Sequence, residues 1–163
     1  MTKTEITVRH ADSIVDDIMQ QHEMIRRRAF DLFQGHLDSP FTELEDWLNA
    51  ERDVSAWPSI DLRQKEDMFE IDAALPGVDP TNLEVKVTNE DVLITAERNG
   101  KASKGTETGA ASKPEGAHRM FGAVHLPAPI DPDKVKAEYR HGHLHLTAAM
   151  AKAEAPRKIE VAV

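Results

Sequence analysis

Apolar residues in the N-terminal third of the chain recur at three-, four- and seven-residue steps, which is the period of an amphipathic helix. From Ser13 onward, such residues fall on one stripe of a helix that would end near Gly35: Ile14, Ile18, Ile25, Ala29 and Leu32. Ser39-Pro40 is typical of a second helix start, with an N-cap followed by Pro in the first turn. The pattern therefore predicts a helical N-terminal arm over residues 1–57, with helices at about 13–35 and 40–52.

At Ala56-Trp57-Pro58 the period of the pattern changes from 3.6 to 2, which is typical of half-buried strands. Alternate apolar positions then follow along the chain: Phe69, Ile71, Ala73, Leu75, Leu83, Val85, Val87, Val92, Ile94 and Ala96. Pro76-Gly77 separates two of these runs, because Pro cannot donate to a strand ladder and Gly accepts backbone angles that other residues avoid. About seven short strands with frequent turn signals predict a mainly β protein, an antiparallel β-sandwich rather than a βαβ fold.

The predicted sandwich spans residues 58–148, and a long loop interrupts it at 99–117. This loop holds four glycines and no bulky apolar side chain. Loops of that length inside a compact domain are usually functional or disordered. Residues 149–163 are predicted to form an extended C-terminal tail, rich in Ala and Lys until the final RKIEVAV.

The composition and charge of the chain exclude several classes of function. A chain of 163 residues suffices for one principal domain, and its formal net charge of −9 argues against nucleic acid or an anionic membrane as partner. The absence of cysteine excludes thiol catalysis, disulfides and Cys-ligated zinc. The chain shows neither a signal peptide nor an apolar run long enough to span a membrane, so we expect a cytoplasmic protein with no membrane span.

No motif for enzyme catalysis stands out: the phosphate-binding loop, the nucleophile elbow and the zinc-protease helix are all absent from the sequence. One cluster has a possible metal chemistry, because strand residues two apart share a face: His141, His143 and His145. His118 or His125 could complete such a site. The alternative, with Leu144 and Leu146 facing the core and the histidines facing solvent, is favoured because a closed zinc site needs four well-placed ligands. We therefore predict a non-enzymatic protein without metal or cofactor.

The residues SIDLRQKEDMFEIDAALPGVDPTNLEVKVTNEDVLITAER (59–98) resemble the first half of the α-crystallin domain of the small heat-shock proteins. The residues VHLPAPIDPDKVKAEYRHGHLHLTA (124–148) are similar to its second half, with the Leu-Pro stop and the Asp-Pro-Asp-Lys link. The family's A-x-x-x-n-G-x-L signature is matched by Ala137, His141, Gly142 and Leu144. The resemblance implies an immunoglobulin-like sandwich in which Leu75-Pro76-Gly77 connects two strands.

The resemblance extends to the C-terminal tail, where the family's I-x-I/V anchor is matched by Ile159-Glu160-Val161. Alternate residues of an extended segment point the same way, so Ile159 and Val161 would both enter apolar pockets at a sheet edge of a neighbouring subunit. Burying two such side chains contributes about 3–5 kcal/mol before ordering costs. The resemblance implies that the receiving groove lies near four residues: Val85, Val87, Val135 and Ala137.

The sequence departs from the family in three places. Family members carry an Arg in the strand before the Leu-Pro stop, and alignment on Leu126-Pro127 puts Gly122 there, which removes a contact expected at the dimer interface. The loop at 99–117, where bacterial relatives exchange a strand between subunits, has few β-forming side chains, so an exchange would be weak or confined to residues 116–121. The Pro-Lys after the last strand is replaced by AAMAK.

The N-terminal arm, IRRRAFDLFQ…TELEDWLNAERDV, resembles a short bacterial helical domain of uncharacterised function. Two amphipathic helices are too small to bury their apolar faces alone. They must pack on each other, on another subunit or on a bound protein. The aromatic and leucine residues assigned to this packing or to client binding are Phe30, Phe33, Phe41, Trp47 and Leu48.

The resemblance implies an ATP-independent holdase chaperone that assembles from homodimers into a larger homo-oligomer. Its clients would be partly unfolded proteins, whose exposed apolar surface binds any complementary apolar patch without sequence specificity. The alternative is a p23-like co-chaperone, a β-sandwich module that binds a partner chaperone as a monomer. Such a module would have no use for Ile159 and Val161, so the tail favours the first interpretation.

Overall fold

The computed structural model describes residues 6–35, 43–98 and 119–152. Over these ranges the chain forms two helices and eight strands, and neither helix has the length and apolar character that crossing a membrane requires. In chain order the elements are β1 (Thr7–His10), α1 (Val15–Gly35), α2 (Glu43–Val54), β2 (Ser59–Lys65), β3 (Met68–Ala74), β4 (Val78–Val87), β5 (Asp91–Arg98), β6 (Arg119–His125), β7 (Ile130–Arg140) and β8 (His143–Met150).

The strands form two four-stranded sheets that share one core. The first sheet has the order β1-β4-β5-β6, and the second sheet has the order β2-β3-β8-β7. Neighbouring strands are antiparallel in both sheets, with the exception of β1 and β4, which are parallel. The predicted fold class is confirmed: the protein is an immunoglobulin-like β-sandwich preceded by a helical arm.

The core between the sheets contains the alternate apolar residues that the period of 2 marks in the sequence. Side chains from both sheets form one buried cluster, and its largest fully buried members include Phe69, Ile71, Leu75, Ile94, Leu126, Ile130, Leu144 and Leu146. Full burial of a side chain of this size contributes about 1.5–3 kcal/mol. This cluster is therefore the main source of stability for the sandwich.

The Leu75-Pro76-Gly77 turn carries the chain from β3 in the second sheet to β4 in the first sheet. Gly77 has a φ of 75°, a left-handed conformation that glycine adopts without strain. The hydroxyl of Tyr139 on β7 lies 3.0 Å from the carbonyl oxygens of Leu75 and Val78, to which it donates. Burial raises the pKa of Tyr139, and the negative charge of Asp79 raises it as well, so the hydroxyl remains a donor.

The helical arm is attached to the outer face of the first sheet. Ile14, immediately before α1, is buried against Leu93 of β5 and Phe121 of β6. These two residues belong to a cluster separate from the main core, on the other face of the sheet. The ammonium of Lys86 on β4 also pairs with the carboxylate of Asp17 on α1 at 2.6 Å. One apolar contact and one ion pair therefore hold the start of α1 against the sandwich.

Helix α1 packs on α2 through a face that the helical period predicts only in part. Ile25 is buried as expected, but Ile18 is 42% exposed and Gln21 is buried. Gln21 Nε2 donates a hydrogen bond to the hydroxyl of Ser55, the residue that follows α2. The expectation for Ile18 is wrong because an apolar stripe is a property of one helix, whereas the buried face depends on where the second helix lies.

Two short segments that the prediction assigned to the helical arm belong to the sandwich instead. Thr7–His10 form β1, and Ala56 makes a parallel bridge to Met120 at the edge of β6. Neither segment follows from a helical period, because each takes its hydrogen bonds from a distant strand. The predicted helix start at Ser39-Pro40 and the predicted loop at 99–117 lie outside the described residues.

Candidate protein-interaction site

The four residues assigned to a receiving groove lie on β4, next to the edge strand β1 of the first sheet, and on β7, the edge strand of the second sheet. Val85 and Val87 belong to β4 in the first sheet, and both are fully buried. Val135 and Ala137 belong to β7, the edge strand of the second sheet, and both are partly buried against the main core. The structure therefore brings these residues to one side of the sandwich, where an extended segment can contact both sheets.

Strand β1 already covers this groove from within the same chain. Val8 is the register partner of Val85, and His10 is the partner of Val87. Ile6 and Val8 are partly buried and pack against the main core, and β1 also contacts β7. Two apolar side chains, Ile6 just before β1 and Val8 within it, therefore pack against the core between β4 and β7.

Polar contacts fix β1 in its register. The backbone N–H of Ala11 donates to the carbonyl oxygen of Val87 at 2.9 Å, just beyond the end of the strand. On the solvent side, Arg9 Nε lies 3.5 Å from Glu84 Oε1. Exposed ion pairs of this kind contribute at most about 1 kcal/mol, so the apolar contacts and the strand ladder supply most of the attachment.

The sequence contains a signal for β1 that the helical interpretation of residues 1–57 missed. Ile6-Thr7-Val8 is an I-x-V tripeptide, the same pattern as Ile159-Glu160-Val161 in the tail. The predicted anchor residues Ile159 and Val161 lie outside the described residues. A search of the whole chain for the tripeptide, instead of its end alone, would have found this second copy.

A second candidate surface is formed by the helical arm, which leaves large apolar side chains in solvent. The exposed apolar side chains on α1 and α2 are Val15, Ile18, Met19, Phe30, Phe33, Leu44 and Leu48. Of the residues assigned to packing or client binding, Phe30 is 57%, Phe33 is 43% and Leu48 is 42% exposed. Trp47 is half-buried with its ring centroid 5.2 Å from that of His22, and Phe41 lies outside the described residues.

Gly122 lies at the position where the resemblance places an Arg, and its surroundings leave no room for a side chain. A Cβ atom there would lie 2.7 Å from Pro58 Cγ and 2.8 Å from Ile60 Cδ1. The same edge of the first sheet is covered by Ala56, which exchanges backbone hydrogen bonds with Arg119 and Phe121 at 2.9 and 3.1 Å. The side chains of Pro58 and Ile60 therefore fill the place where an arginine side chain would project.

The histidines of the candidate metal cluster do not converge on one point. His145 Nδ1 lies 2.6 Å from Asp72 Oδ1 and His125 Nδ1 lies 2.8 Å from Asp91 Oδ1, while His143 is exposed. Leu144 and Leu146 are buried, as the alternative interpretation expects. Over residues 6–35, 43–98 and 119–152, no group of three or more His, Asp or Glu side chains is arranged to hold a metal ion; His118 lies outside these ranges.

The sequence of the chain is similar to a known protein family and to several of its members. The model of the Hsp20/alpha crystallin family matches residues 61–162. The 18 kDa antigen 2 of Mycobacterium avium is 30% identical over 127 residues, which cover 75% of this chain and 88% of that protein. Spore protein SP21 of Stigmatella aurantiaca is 28% identical over 152 residues, which cover 84% of each chain.

Solved structures agree on the fold. Heat shock protein 16.0 from Schizosaccharomyces pombe superposes with a TM-score of 0.50 at 24% sequence identity, and the match covers 66% of this chain and 100% of that one. At this level of identity the likeness shows the β-sandwich alone.

Proposed function

The chain belongs to the Hsp20/alpha crystallin family, and from this premise we propose that it is an ATP-independent holdase chaperone that works as a homo-oligomer. The observation that carries the proposal is the set of exposed apolar side chains on α1 and α2. The sandwich beside them, in contrast, buries its own apolar residues in one core. Partly unfolded proteins expose apolar surface, and such surface binds a complementary patch without regard to sequence. The function requires no catalytic group and no cofactor.

The client-binding surface in this proposal is the exposed face of the arm, and its described members include Phe30, Phe33 and Leu48. Large apolar side chains exposed together on one part of a monomer are typical of an interaction surface. The formal net charge of the chain, −9, would help to keep a complex with an aggregation-prone client in solution.

Assembly in this proposal uses the tail as an anchor, with Ile159 and Val161 entering the groove between β4 and β7 of a neighbouring copy. The proposal is supported by the apolar character of the groove and by Ile6-Thr7-Val8, an I-x-V segment of the same chain whose Ile6 and Val8 pack against the core there. Weak single anchors become substantial when an assembly repeats them.

The test is suppression of heat-induced aggregation of a test enzyme, followed by light scattering in the absence of ATP. Changing Phe30→Ser together with Phe33→Ser should raise several-fold the amount of protein needed for half-maximal suppression. The matched control is Leu62→Ser with Met68→Ser, which removes two exposed apolar side chains from the sandwich. Equal loss in both variants, or no loss in either, would contradict the assignment of the arm.

Point changes are preferable to deletion of the whole arm. Residues 1–57 include β1 and the Ala56 bridge, so a deletion would also expose two edges of the first sheet. Loss of activity in that variant could then arise from damage to the sandwich.

One observation favours the p23-like alternative, a monomeric binding module: the groove is filled by β1 of the same chain. Changing Ile159→Ala with Val161→Ala and measuring the native mass by light scattering distinguishes the two. A smaller assembly supports the oligomeric holdase, and an unchanged mass supports the module.

A further inference from the structure

The chain contains two I-x-V tripeptides, Ile6-Thr7-Val8 near its N-terminus and Ile159-Glu160-Val161 near its C-terminus. The first of them lies in the groove between β4 and β7, where Ile6 and Val8 pack against the main core. Both tripeptides present two β-branched side chains of the same kinds at the same spacing, so both fit the same pair of pockets when extended.

We propose that Ile6-Thr7-Val8 is an internal competitor for this groove, which Ile159-Glu160-Val161 of a second copy enters only after β1 has left. The inference rests on the proposed function, in which the groove receives the C-terminal anchor. It adds that each subunit carries its own occupant of the groove, residues 6–10, which we call the internal plug. Assembly then depends on the free energy with which this plug binds the groove.

The internal plug competes for the groove at a higher effective concentration than the tail of another copy does. Because β1 and the groove belong to one chain, β1 experiences an effective concentration on the order of millimolar. The anchor of another copy competes at the actual protein concentration. An occupied groove lowers the apparent affinity for an incoming segment in proportion to the fraction of time that the groove is open.

The plug is also built to be released. Strand β1 has only four residues, pairs with one neighbour in a parallel ladder, and leaves Ile6 and Val8 partly exposed. Short edge strands with few buried contacts open locally at much lower free energy than the core does. The arm has a separate attachment through Ile14 and through the Lys86–Asp17 pair, so release of β1 leaves α1 in place.

The experiment measures binding of a labelled synthetic peptide of residues 155–163 (APRKIEVAV) to the full chain by fluorescence anisotropy. The receptor carries Ile159→Ala and Val161→Ala, so its own tail does not compete. Adding Ile6→Ala with Val8→Ala should tighten peptide binding by about tenfold or more, as expected if the plugged groove is open at most about one-tenth of the time. Thr7→Ala, on the solvent side of β1, is the matched control and should leave the affinity unchanged.

A second arm of the experiment locks the plug in place. Thr7 and Glu84 are register partners on β1 and β4, and the chain has no other cysteine, so Thr7→Cys with Glu84→Cys allows one defined disulfide. This change leaves the inward-facing groove residues untouched. The oxidised protein should not bind the peptide, and the same protein after reduction should bind it. Circular dichroism verifies that every variant is folded.

The outcomes separate this inference from the function on which it rests. Equal affinity in the plugged and weakened proteins, with loss of binding only on oxidation, would overturn the competition while leaving the groove as an anchor site. Equal affinity in all four proteins, including the oxidised one, would mean that the peptide binds outside the groove, and would overturn the competition and the groove as the anchor site together. No binding to any of them, including the protein with the weakened plug, would overturn the anchor part of the proposed function and the competition together. Tighter binding on weakening and loss of binding on locking support the competition.

Discussion

The ammonium of Lys86 lies 2.6 Å from the carboxylate of Asp17, and this pair joins the outer face of β4 to the first turns of α1. The two side chains are 28% and 26% exposed, respectively. The pair therefore lies between the usual surface ion pair and a buried one, at the junction of the helical arm and the sandwich.

We expect a double-mutant cycle with Asp17→Asn and Lys86→Met to give a coupling energy of about 1 kcal/mol in urea unfolding, because partial burial reduces solvent screening of the pair. The coupling should shrink when the ionic strength is raised to about 1 M, where the Debye length is about 3 Å. A coupling that is absent at low salt would show that the pair does not hold the arm.

Gly122→Ala should destabilise the sandwich by about 1–3 kcal/mol, the usual effect of forcing an extra methyl group into a packed site. The new Cβ would meet Pro58 Cγ at 2.7 Å and Ile60 Cδ1 at 2.8 Å. Gly35→Ala is the matched control, because no atom of the described residues lies within 4 Å of a Cβ at this position, the end of α1. Thermal unfolding measures both, and a stable Gly122→Ala protein would argue against the tight approach of Pro58.

Ser55→Ala should cost about 1–3 kcal/mol, because the amide of buried Gln21 loses the hydroxyl to which it donates. The carbonyl oxygen Gln21 Oε1 is buried and has no hydrogen-bond partner among the residues that the structure describes. Gln21→Met, which keeps the volume and removes the unpaired group, should therefore leave stability unchanged or raise it. The denaturant midpoints of the two variants measure this difference. Equal losses of stability in Ser55→Ala and Gln21→Met would contradict the prediction.

Tyr139 should make stability fall at high pH. Its pKa in the folded protein is raised above the ordinary value of 10.0, so the unfolded chain loses the proton first. The stability contribution is present below pH 10 and is lost as pH rises through the folded pKa. Unfolding at about pH 8 and about pH 11 measures this loss, and Tyr139→Phe should reduce the difference between the two values.

The same Tyr139→Phe variant reports on the turn between the sheets. At neutral pH it should cost about 1 kcal/mol, since the hydroxyl donates to the carbonyl oxygens of Leu75 and Val78. An unchanged slope of stability against pH in this variant would assign the alkaline loss to other groups.

The parts of the fold that local pattern specifies were predictable. Phe69, Ile71 and Leu75 alternate with polar residues, and a strand buried on one face requires this alternation, so its position and inward face follow from the sequence. The turn at His141-Gly142 was predictable for the same kind of reason, since both residues adopt positive φ there.

Two features were not predictable from the sequence: the face that α1 buries, and the reason why residue 122 is a glycine. Gln21 is buried because Ser55 lies opposite it, and Gly122 is required because Pro58 and Ile60 approach its backbone. Each of these depends on the distance between segments far apart in the chain, and a pattern within one segment contains no information on that distance.

The sequence by itself determined the two-sheet scaffold and its family, because alternation, turn residues and motif order are local properties that every strand carries within itself. Only the tertiary structure decided what fills the groove at Val85 and Val135. The I-x-V pattern marks Ile6 and Val8 as a candidate segment but does not say which surface receives them, because these side chains gain their burial only from the two sheets that the rest of the chain brings together.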